Sequence, residues 1–282
     1  MQQRKIGVVG AGTMGNGITQ AFAVAGIDVV ISDISEAQVQ RALATITGSL
    51  DRLIKKEKLS ADEKAAALAR ISTTTDLQAL ADCDLIIEAA TENLDLKLKI
   101  FAQLDKIAAP AAVLASNTSS ISITRLAAST GRADQVIGMH FFNPVPMMAL
   151  VELIRSLQTS DATYALVDEL TRAIGKTPVQ VKNSPGFVVN RLLCPMINEA
   201  IFALGEGLAT AAEIDEAMKL GANHPIGPLA LADMIGLDVE LAVMQVLFEG
   251  FKDPKYRPAP LLVEMVEAGY LGRKTGRGFF TY

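Results

Sequence analysis

Two residues near the middle of the chain could carry acid–base chemistry, His140 and Glu152. His140 is one of two histidines, and imidazole is the side chain whose unperturbed pKa suits proton transfer near neutral pH. It follows a short apolar run and precedes an Asn-Pro step at 143 and 144, which indicates the end of a strand. Glu152 interrupts a second apolar run, 149–154. Taken singly, each has an ordinary interpretation, a core histidine and a solvated glutamate.

A pairing of the two apolar runs as neighbouring strands would give both residues a role. The Glu152 carboxylate could then accept the proton on one ring nitrogen of His140, which fixes the tautomer and leaves the other nitrogen to accept a proton. A carboxylate buried in such a strand needs a partner of this kind. The sequence therefore predicts a His–Glu pair that acts as general acid and base.

A glycine-rich turn near the start of the chain predicts a cofactor site. The apolar strand 5–9 runs into GAGTMG at 10–15 and then into a helical pattern. In this context the first glycine permits the tight turn, the second admits a pyrophosphate and the third packs the helix on the sheet. The helix N-terminus then faces the phosphates. Asp33 ends the second strand near the spacing at which a carboxylate binds the adenosine ribose, so NAD is favoured over NADP.

Polar residues follow the later strands of the predicted sheet. The strand 84–90 leads through Glu92 into a helix that carries Lys97, and the strand 113–117 ends in 118-TSS-120. Ligands bind outside the carboxyl ends of parallel strands, so these residues are expected beside the cofactor. Serine and asparagine at such positions are also routine helix caps, and that alternative stays open.

A helical hairpin is predicted between the second and third strands. Its helices begin with capping-box patterns at 35–38 and 60–63, and its tip carries Arg52, Lys55, Lys56 and Lys58. A basic cluster of this kind is ordinarily a solvated helix face. Its alternative is a docking site for a substrate that bears phosphate groups.

The order of the elements predicts two domains. The fold class is α/β: a Rossmann-like, mostly parallel sheet with the inserted hairpin over 1–183, then an all-helical domain over 184–282 after the turn NSPG. Helices of the second domain are predicted at about 187–205, 211–220, 228–235, 237–249 and 259–268. This apolar-rich second domain is expected to join two copies of the chain into a homodimer.

Composition excludes several classes of partner. A net charge of −5 without a basic block argues against nucleic acid, and the absence of a long unbroken apolar stretch argues against a membrane span. Cys83 and Cys194 are isolated, so neither a disulfide framework nor a metal site is predicted. Because residues 1–5 leave no room for a signal peptide, the expected compartment is the reducing cytoplasm.

With these motifs assembled, the chain resembles the L-3-hydroxyacyl-CoA dehydrogenase family over essentially its whole length. It looks closest to the stand-alone bacterial members that act on 3-hydroxybutyryl-CoA. The matching motifs are GAGTMG at 10–15, ATEN at 90–93, SNTSS at 116–120, GMHFFNPVP at 138–146, NSPGFVVNR at 183–191, HPIGPLALAD at 224–233 and GRKTGRGFF at 272–280.

The resemblance implies a role for each matching residue. It makes His140 the general base and Glu152 its partner, while Ser119 and Asn190 hold the substrate oxygen and position the acyl chain. Ser49 and Lys56 would contact coenzyme A. The residues implied in NAD binding are Gly10, Ala11, Gly12, Thr13, Met14, Gly15, Asp33, Ala90, Glu92, Lys97, Asn117, Ser119, Asn143 and Lys274.

The implied reaction is the reversible, NAD-dependent oxidation of a short-chain (3S)-3-hydroxyacyl-CoA to the 3-oxoacyl-CoA. One rival is a β-hydroxyacid dehydrogenase acting on free acids, which would want a catalytic lysine in place of the His–Glu pair. A second is a non-catalytic NAD-binding relative, which would have lost His140, Glu152 or Asn190. The second histidine, His224, lies in HPIGPLALAD between loop-forming prolines and is interpreted as structural.

Overall fold

The computed structural model describes residues 4–282, so that Met1–Gln3 of the predicted first domain lie outside the described residues. The chain divides into two compact units. Unit 1 ends at Asn183, and unit 2 comprises Ser184–Tyr282.

Unit 1 is organised around one sheet, whose strands alternate with helices. Within residues 4–183 the strands are β1 (Lys5–Val9), β2 (Asp28–Ser32), β3 (Ile71–Thr74), β4 (Leu85–Glu88), β5 (Val113–Ser116), β6 (Val136–Phe141), β7 (Leu150–Arg155) and β8 (Thr177–Lys182). They lie in the order β3-β2-β1-β4-β5-β6-β7-β8. The strands β1 to β6 are parallel, β7 is antiparallel to β6, and β8 is parallel to β7. The strand order reverses between β1 and β4, which is where doubly wound sheets bind ligands.

Helices cover this sheet. They are α1 (Thr13–Val24), α2 (Glu36–Lys55), α3 (Ala61–Ala69), α4 (Leu94–Ile107), α5 (Ile123–Ala127) and α6 (Asp161–Ala173). The long helix α2 and the shorter α3 form the predicted hairpin between β2 and β3. Apolar strand residues such as Ile6, Ile31 and Ile87 are buried against Phe22 of α1 and Ile46 of α2, and this packing fixes the helices on the sheet.

The two predicted capping boxes have different outcomes. At α3, the Ser60 hydroxyl accepts the amide of Glu63 while the Glu63 carboxylate accepts the amide of Ser60, as predicted. At α2, the predicted box is wrong: Ser35 is the N-cap residue, but its side chain makes no capping hydrogen bond. The amide of Ser35 instead donates to Oδ1 of Asp33 at 3.2 Å, so an acid preceding the helix takes the place of Gln38.

Unit 2 is helical. Its helices are α7 (Val189–Gly205), α8 (Ala211–Gly221), α9 (Pro228–Ile235), α10 (Leu237–Phe251) and α11 (Pro260–Glu267). Their common core includes Ile197, Ile201, Leu229 and Leu262. These elements confirm the predicted fold class. No helix within residues 4–282 has both the length and the apolar character that crossing a membrane requires.

One buried aspartate connects two of the sequence motifs in unit 2. The Asp233 carboxylate accepts the amides of Phe279 and Phe280, which ties HPIGPLALAD to GRKTGRGFF. A Cβ on Gly278 would lie 1.9 Å from Oδ1 of Asp233, so that only glycine allows this approach. In the first of these motifs, His224 donates its backbone N–H to the carbonyl of Met218 at 3.2 Å.

Candidate active site

The antiparallel pairing of β6 and β7 brings the two predicted acid–base residues together. His140 and Glu152 are directly opposite in the register, and Nδ1 of His140 lies 2.8 Å from Oε2 of Glu152. The exposed fractions are 6% for His140 and 1% for Glu152, so water screens the contact little. The two side chains therefore form a buried contact at hydrogen-bond distance between the imidazole ring and the carboxyl group.

The glycine-rich turn between β1 and α1 has the shape that a dinucleotide needs. Gly10 has φ of +104°, and a Cβ there would lie 2.6 Å from the carbonyl oxygen of Ala89. A Cβ on Gly15 would lie 1.7 Å from the carbonyl oxygen of Gly10, which explains the close packing of α1. Gly12 has nothing within 4 Å of its Cβ position, so a ligand can approach the backbone there. No side chain caps α1, so the amides of its first turn are available to a phosphate group of a ligand.

Asp33 lies beside this turn. Its Oδ2 accepts the amide of Ala11 at 2.8 Å and its Oδ1 accepts the amide of Ser35, so the acid holds the turn as well as ending β2. A cavity of about 630 Å³ opens here, lined among others by Gly12, Asp33 and Ile34. Backbone amides, a carboxylate and apolar walls form the set of groups that a dinucleotide requires, so the residues fit NAD.

A buried ion-pair network lies at the carboxyl ends of β4 and β5. Lys97 of α4 is 1% exposed, and its Nζ donates to Oε1 of Glu88 at 2.6 Å and to the carbonyl of Ala90 at 3.2 Å. The same Nζ lies 3.4 Å from Oε2 of Glu92. Glu88 also accepts the Ser116 hydroxyl at 2.6 Å and the Ala90 amide at 2.7 Å. The network therefore joins two strand ends to the first turns of α4.

Glu92 carries this network into the segment that contains Ser119. Its Oε1 accepts the amides of Ser119 and Ser120 at 3.0 and 3.1 Å, and also the hydroxyls of Thr118 and Ser120. Burial acts to raise the pKa of Glu92, but the charge of Lys97 and these hydrogen bonds outweigh it and hold the pKa below its usual value. Glu92 is therefore a carboxylate at neutral pH.

One asparagine connects two strand ends, and a second lines a cavity. Oδ1 of Asn117, after β5, accepts the amide of Phe141 at 2.9 Å and so fixes the end of β6 next to His140. Asn143 is exposed and precedes a cis peptide bond to Pro144. It lines a second cavity of unit 1, of about 790 Å³.

This second cavity is basic on its hairpin side. Helix α2 and the turn after it contribute Ser49 and four cationic residues, which are Arg41, Arg52, Lys56 and Lys58. Lys55, which was predicted to belong to the basic tip, does not line the cavity. Opposite them lie Gly12 and Asn16 of the dinucleotide turn and α1. A concave surface with several cations and no anion among its lining residues suits a ligand with phosphate groups.

Two of the predicted site residues belong to unit 2. Asn190 lies in the first turn of α7 and is half-buried. Lys274 is exposed and forms an ion pair with Asp238 of α10. The other predicted site residues all lie in unit 1.

Three residues of this region were not predicted from the sequence: Glu88, Ser116 and Lys176. Glu88 had a signal, since it is a carboxylate in an otherwise apolar strand with a lysine nine residues later. Lys176 had none, because its buried Nζ donates to the backbone carbonyls of Val145 and Met148 at 2.6 and 2.7 Å. Among the residues that the structure describes, no group of three or more side chains is placed to hold a metal ion.

A dinucleotide turn and a carboxylate-bound histidine at the same edge of one sheet are the features of a nicotinamide-dependent dehydrogenase. Comparison with known proteins makes the assignment specific. The family model for the 3-hydroxyacyl-CoA dehydrogenase NAD-binding domain matches residues 5–184, and that for the C-terminal domain matches residues 186–282. The chain belongs to the 3-hydroxyacyl-CoA dehydrogenase family, and its cofactor is NAD.

Individual relatives match along the whole chain. A 3-hydroxybutyryl-CoA dehydrogenase of Bradyrhizobium diazoefficiens is 54% identical, over 99% of this chain and 95% of its own. The mitochondrial hydroxyacyl-coenzyme A dehydrogenase of Rattus norvegicus is 42% identical, over 99% of this chain and 91% of its own. The crystal structure of (S)-3-hydroxybutyryl-CoA dehydrogenase from Ralstonia eutropha superimposes with a TM-score of 0.97 at 67% identity and covers 100% of this chain and 99% of its own.

Proposed function

We propose that the protein catalyses the reversible oxidation of (3S)-3-hydroxybutyryl-CoA to 3-oxobutyryl-CoA with NAD, using His140 and Glu152 as a dyad. The observation that carries this proposal is the 2.8 Å contact between Nδ1 of His140 and Oε2 of Glu152 at the carboxyl edge of the sheet. The names of the relatives support the substrate class.

In the oxidation direction, His140 takes the proton of the 3-hydroxyl group at Nε2. Glu152 holds the ring in the correct tautomer and stabilises the imidazolium that forms. NAD, when bound, supplies the acceptor for the hydride that leaves C3. In the reverse direction the imidazolium of His140 is the acid, and Ser119 helps to polarise the keto oxygen. Acid–base help of this kind contributes about 10²–10⁴-fold in rate.

The remaining residues have binding roles in this proposal. The turn Gly10–Gly15 would hold the pyrophosphate of NAD and Asp33 its adenosine ribose, with Ala90, Glu92, Lys97, Asn117, Ser119, Asn143 and Lys274 as further contacts. Asn190 would position the acyl chain beside Ser119. Ser49 and Lys56 would bind coenzyme A, a role that the cationic lining of the 790 Å³ cavity supports.

We also propose a cytoplasmic homodimer joined through unit 2. Leu192, Leu208 and Leu220 of that unit are each more than half exposed, and exposed apolar residues in such number favour an interface. Light scattering should give the mass of a dimer at micromolar concentration. A stable monomer would contradict the proposal.

The test of the activity compares a thioester with the matching free acid. Purified protein with NAD should oxidise (3S)-3-hydroxybutyryl-CoA, with kcat/KM at least a hundredfold above that for 3-hydroxybutyrate. A series of thioesters from C4 to C12 should show the highest kcat/KM at the short end. Equal turnover of the free acid would favour a β-hydroxyacid dehydrogenase, and no turnover of any substrate would favour a non-catalytic NAD-binding protein.

A further inference from the structure

Glu88 is a buried acid to which the proposed mechanism gives no role, although it has a specific set of partners. It ends β4, is 0% exposed, and bonds Lys97, Ser116 and the Ala90 amide. Its pair with Lys97 is also buried on the lysine side. A buried pair of this kind costs desolvation energy, so stability alone is a weak reason for its presence.

The charges of the network are unequal. Glu88 and Glu92 are acidic and Lys97 is the one base between them, at 2.6 Å from Glu88 and 3.4 Å from Glu92. The shorter distance assigns the positive charge of Lys97 mainly to Glu88, because attraction falls with distance and is poorly screened in the interior. The negative charge of Glu92, whose side chain is 38% exposed, is therefore only partly compensated by Lys97 at the edge where NAD is proposed to bind.

The two oxygens of Glu92 are also unequal. Oε1 is held by the residues 118–120, whereas Oε2 faces Lys97 at a distance too long for a strong hydrogen bond. Oε2 can therefore accept a hydroxyl group. A cofactor with ribose hydroxyls supplies such donors.

We propose that Glu88 is a positioning residue for NAD: by holding Lys97, it keeps the Glu92 carboxylate oriented and only partly neutralised by the ammonium, so that Oε2 can accept a ribose hydroxyl. This inference rests on the proposed role of Glu92 in NAD binding. Glu88 itself is 0% exposed, so the proposal gives it no direct contact with cofactor or substrate. Without its charge, Lys97 would have Glu92 as its one counter-ion, and the ammonium would draw the carboxylate away from residues 118–120 and from the cofactor.

Direct titration with NADH in the absence of thioester tests the proposal, with protein-bound NADH fluorescence as the signal. Glu88→Gln keeps the shape of the side chain and removes the charge, so the Kd for NADH should rise at least tenfold. Glu92→Gln should raise it similarly. An unchanged Kd in either variant would overturn the proposal.

A double-mutant cycle shows whether Glu88 acts through Lys97. In a Lys97→Met background, adding Glu88→Gln should change the Kd less than twofold, because no ammonium is left to hold. A further tenfold loss in that background would overturn the proposal. If Glu88→Gln does not fold, Glu92→Gln still decides, since it leaves the buried Lys97–Glu88 pair intact and an unchanged Kd for NADH in it overturns the proposal.

A matched control separates positioning from general loosening of unit 1. Asp105 binds Arg132 at 2.8 Å and accepts the amide of Gly131, far along α4 from the strand ends. Asp105→Asn should lower the melting temperature and leave the Kd for NADH within twofold. An equal loss of NADH affinity in Asp105→Asn would overturn the proposal. The turnover assay is separate, so absence of thioester oxidation by the wild type would refute the proposed function without altering this result.

Discussion

The two units each bury an acid completely, and the two acids differ in their surroundings. Glu88 of unit 1 has a lysine, a hydroxyl and an amide as partners. Glu240 of unit 2 lies beside the Cys194 thiol, and within residues 4–282 no nitrogen or oxygen atom hydrogen-bonds its carboxyl oxygens. Burial raises the pKa of Glu240 to about 8, against a small lowering by Cys194, so at neutral pH it is largely an uncharged acid.

The difference indicates what a buried acid does in each unit. At the sheet edge of unit 1, Glu88 and Glu152 have charged or ring partners within 2.8 Å, and we propose that they serve in cofactor positioning and proton transfer. In the core of unit 2, Glu240 occupies space without a matching charge. Replacing the buried acid by glutamine should therefore damage function in unit 1 and improve stability in unit 2.

The largest effect is expected for Glu152→Gln, which keeps the shape of the side chain and removes the charge. Without the carboxylate the imidazolium of His140 loses its stabilising partner, so kcat should fall about 10³-fold while the Kd for NADH stays within twofold. His140→Gln should be at least as damaging. Because the two act as one unit, the double variant should be little worse than the poorer single variant. Losses that multiply would show that Glu152 does not act through His140.

Glu240→Gln should have the opposite sign and stabilise the protein. The acid ionises near pH 4.3 in the unfolded chain and near pH 8 in the folded one. Between these pH values the folded state binds more protons than the unfolded state. The free energy of unfolding therefore falls as pH rises, and the loss is complete once the pH has risen through 8. The variant lacks this loss, and its advantage should grow from pH 5 to pH 8.5 to a few kcal/mol.

Thermal or urea unfolding at several pH values measures this difference. Glu264→Gln on α11 is the control, because Glu264 is exposed and its substitution should give no pH-dependent gain. If Glu240→Gln destabilises the protein at pH 8, the acid has a partner that stabilises its charged form, and the contrast between the units fails.

A smaller effect is expected at Asp33, where a charge and two hydrogen bonds can be separated. Asp33→Ala removes the charge and the hydrogen bonds together. It should reduce the preference for NADH over NADPH about tenfold and should also loosen the turn at Ala11. Asp33→Asn keeps an oxygen for the Ala11 amide and removes the charge. Asp33→Asn should reduce the preference, measured as the ratio of the kcat/KM values for the two cofactors, as much as Asp33→Ala does. Its kcat/KM with NADH should fall less than that of Asp33→Ala. A wild-type enzyme equally efficient with NADPH would contradict the assigned role.

Most elements of the fold could be predicted from local sequence patterns. Most contacts between residues far apart in the chain could not. The bounds of α9 were predicted at the residues observed, 228–235, because its apolar period and the flanking glycines are local signals. The His140–Glu152 contact was predicted on condition that two strands pair, and the register of β6 and β7 meets that condition. The short helix α5 was missed because five residues show no period. Lys176 was missed because backbone carbonyls, its partners, leave no mark in a sequence.

The smallest effect is expected at the two capping boxes, which differ as the two buried acids do. Ser60→Ala removes a side-chain acceptor that the Glu63 amide uses, and it should cost about 1 kcal/mol of stability. Ser35→Ala removes a hydroxyl that makes no capping bond, since Asp33 already accepts the Ser35 amide, so it should cost less than half as much. Urea midpoints at constant slope measure both losses of stability.

The loss at Ser60 should also depend on pH. Hydrogen bonds from the backbone and the side chain of Ser60 hold the pKa of Glu63 below its usual value. The ionised Glu63 therefore adds stability at a pH above its pKa in the unfolded chain, and this stability is lost as the pH falls through its pKa in the folded chain. The Ser60→Ala loss should therefore shrink in acid, while the Ser35→Ala loss should not change with it. Equal losses at the two serines would mean that the hydroxyl of Ser35 caps α2 in solution, and the contrast between partnered and unpartnered groups would not extend to this scale.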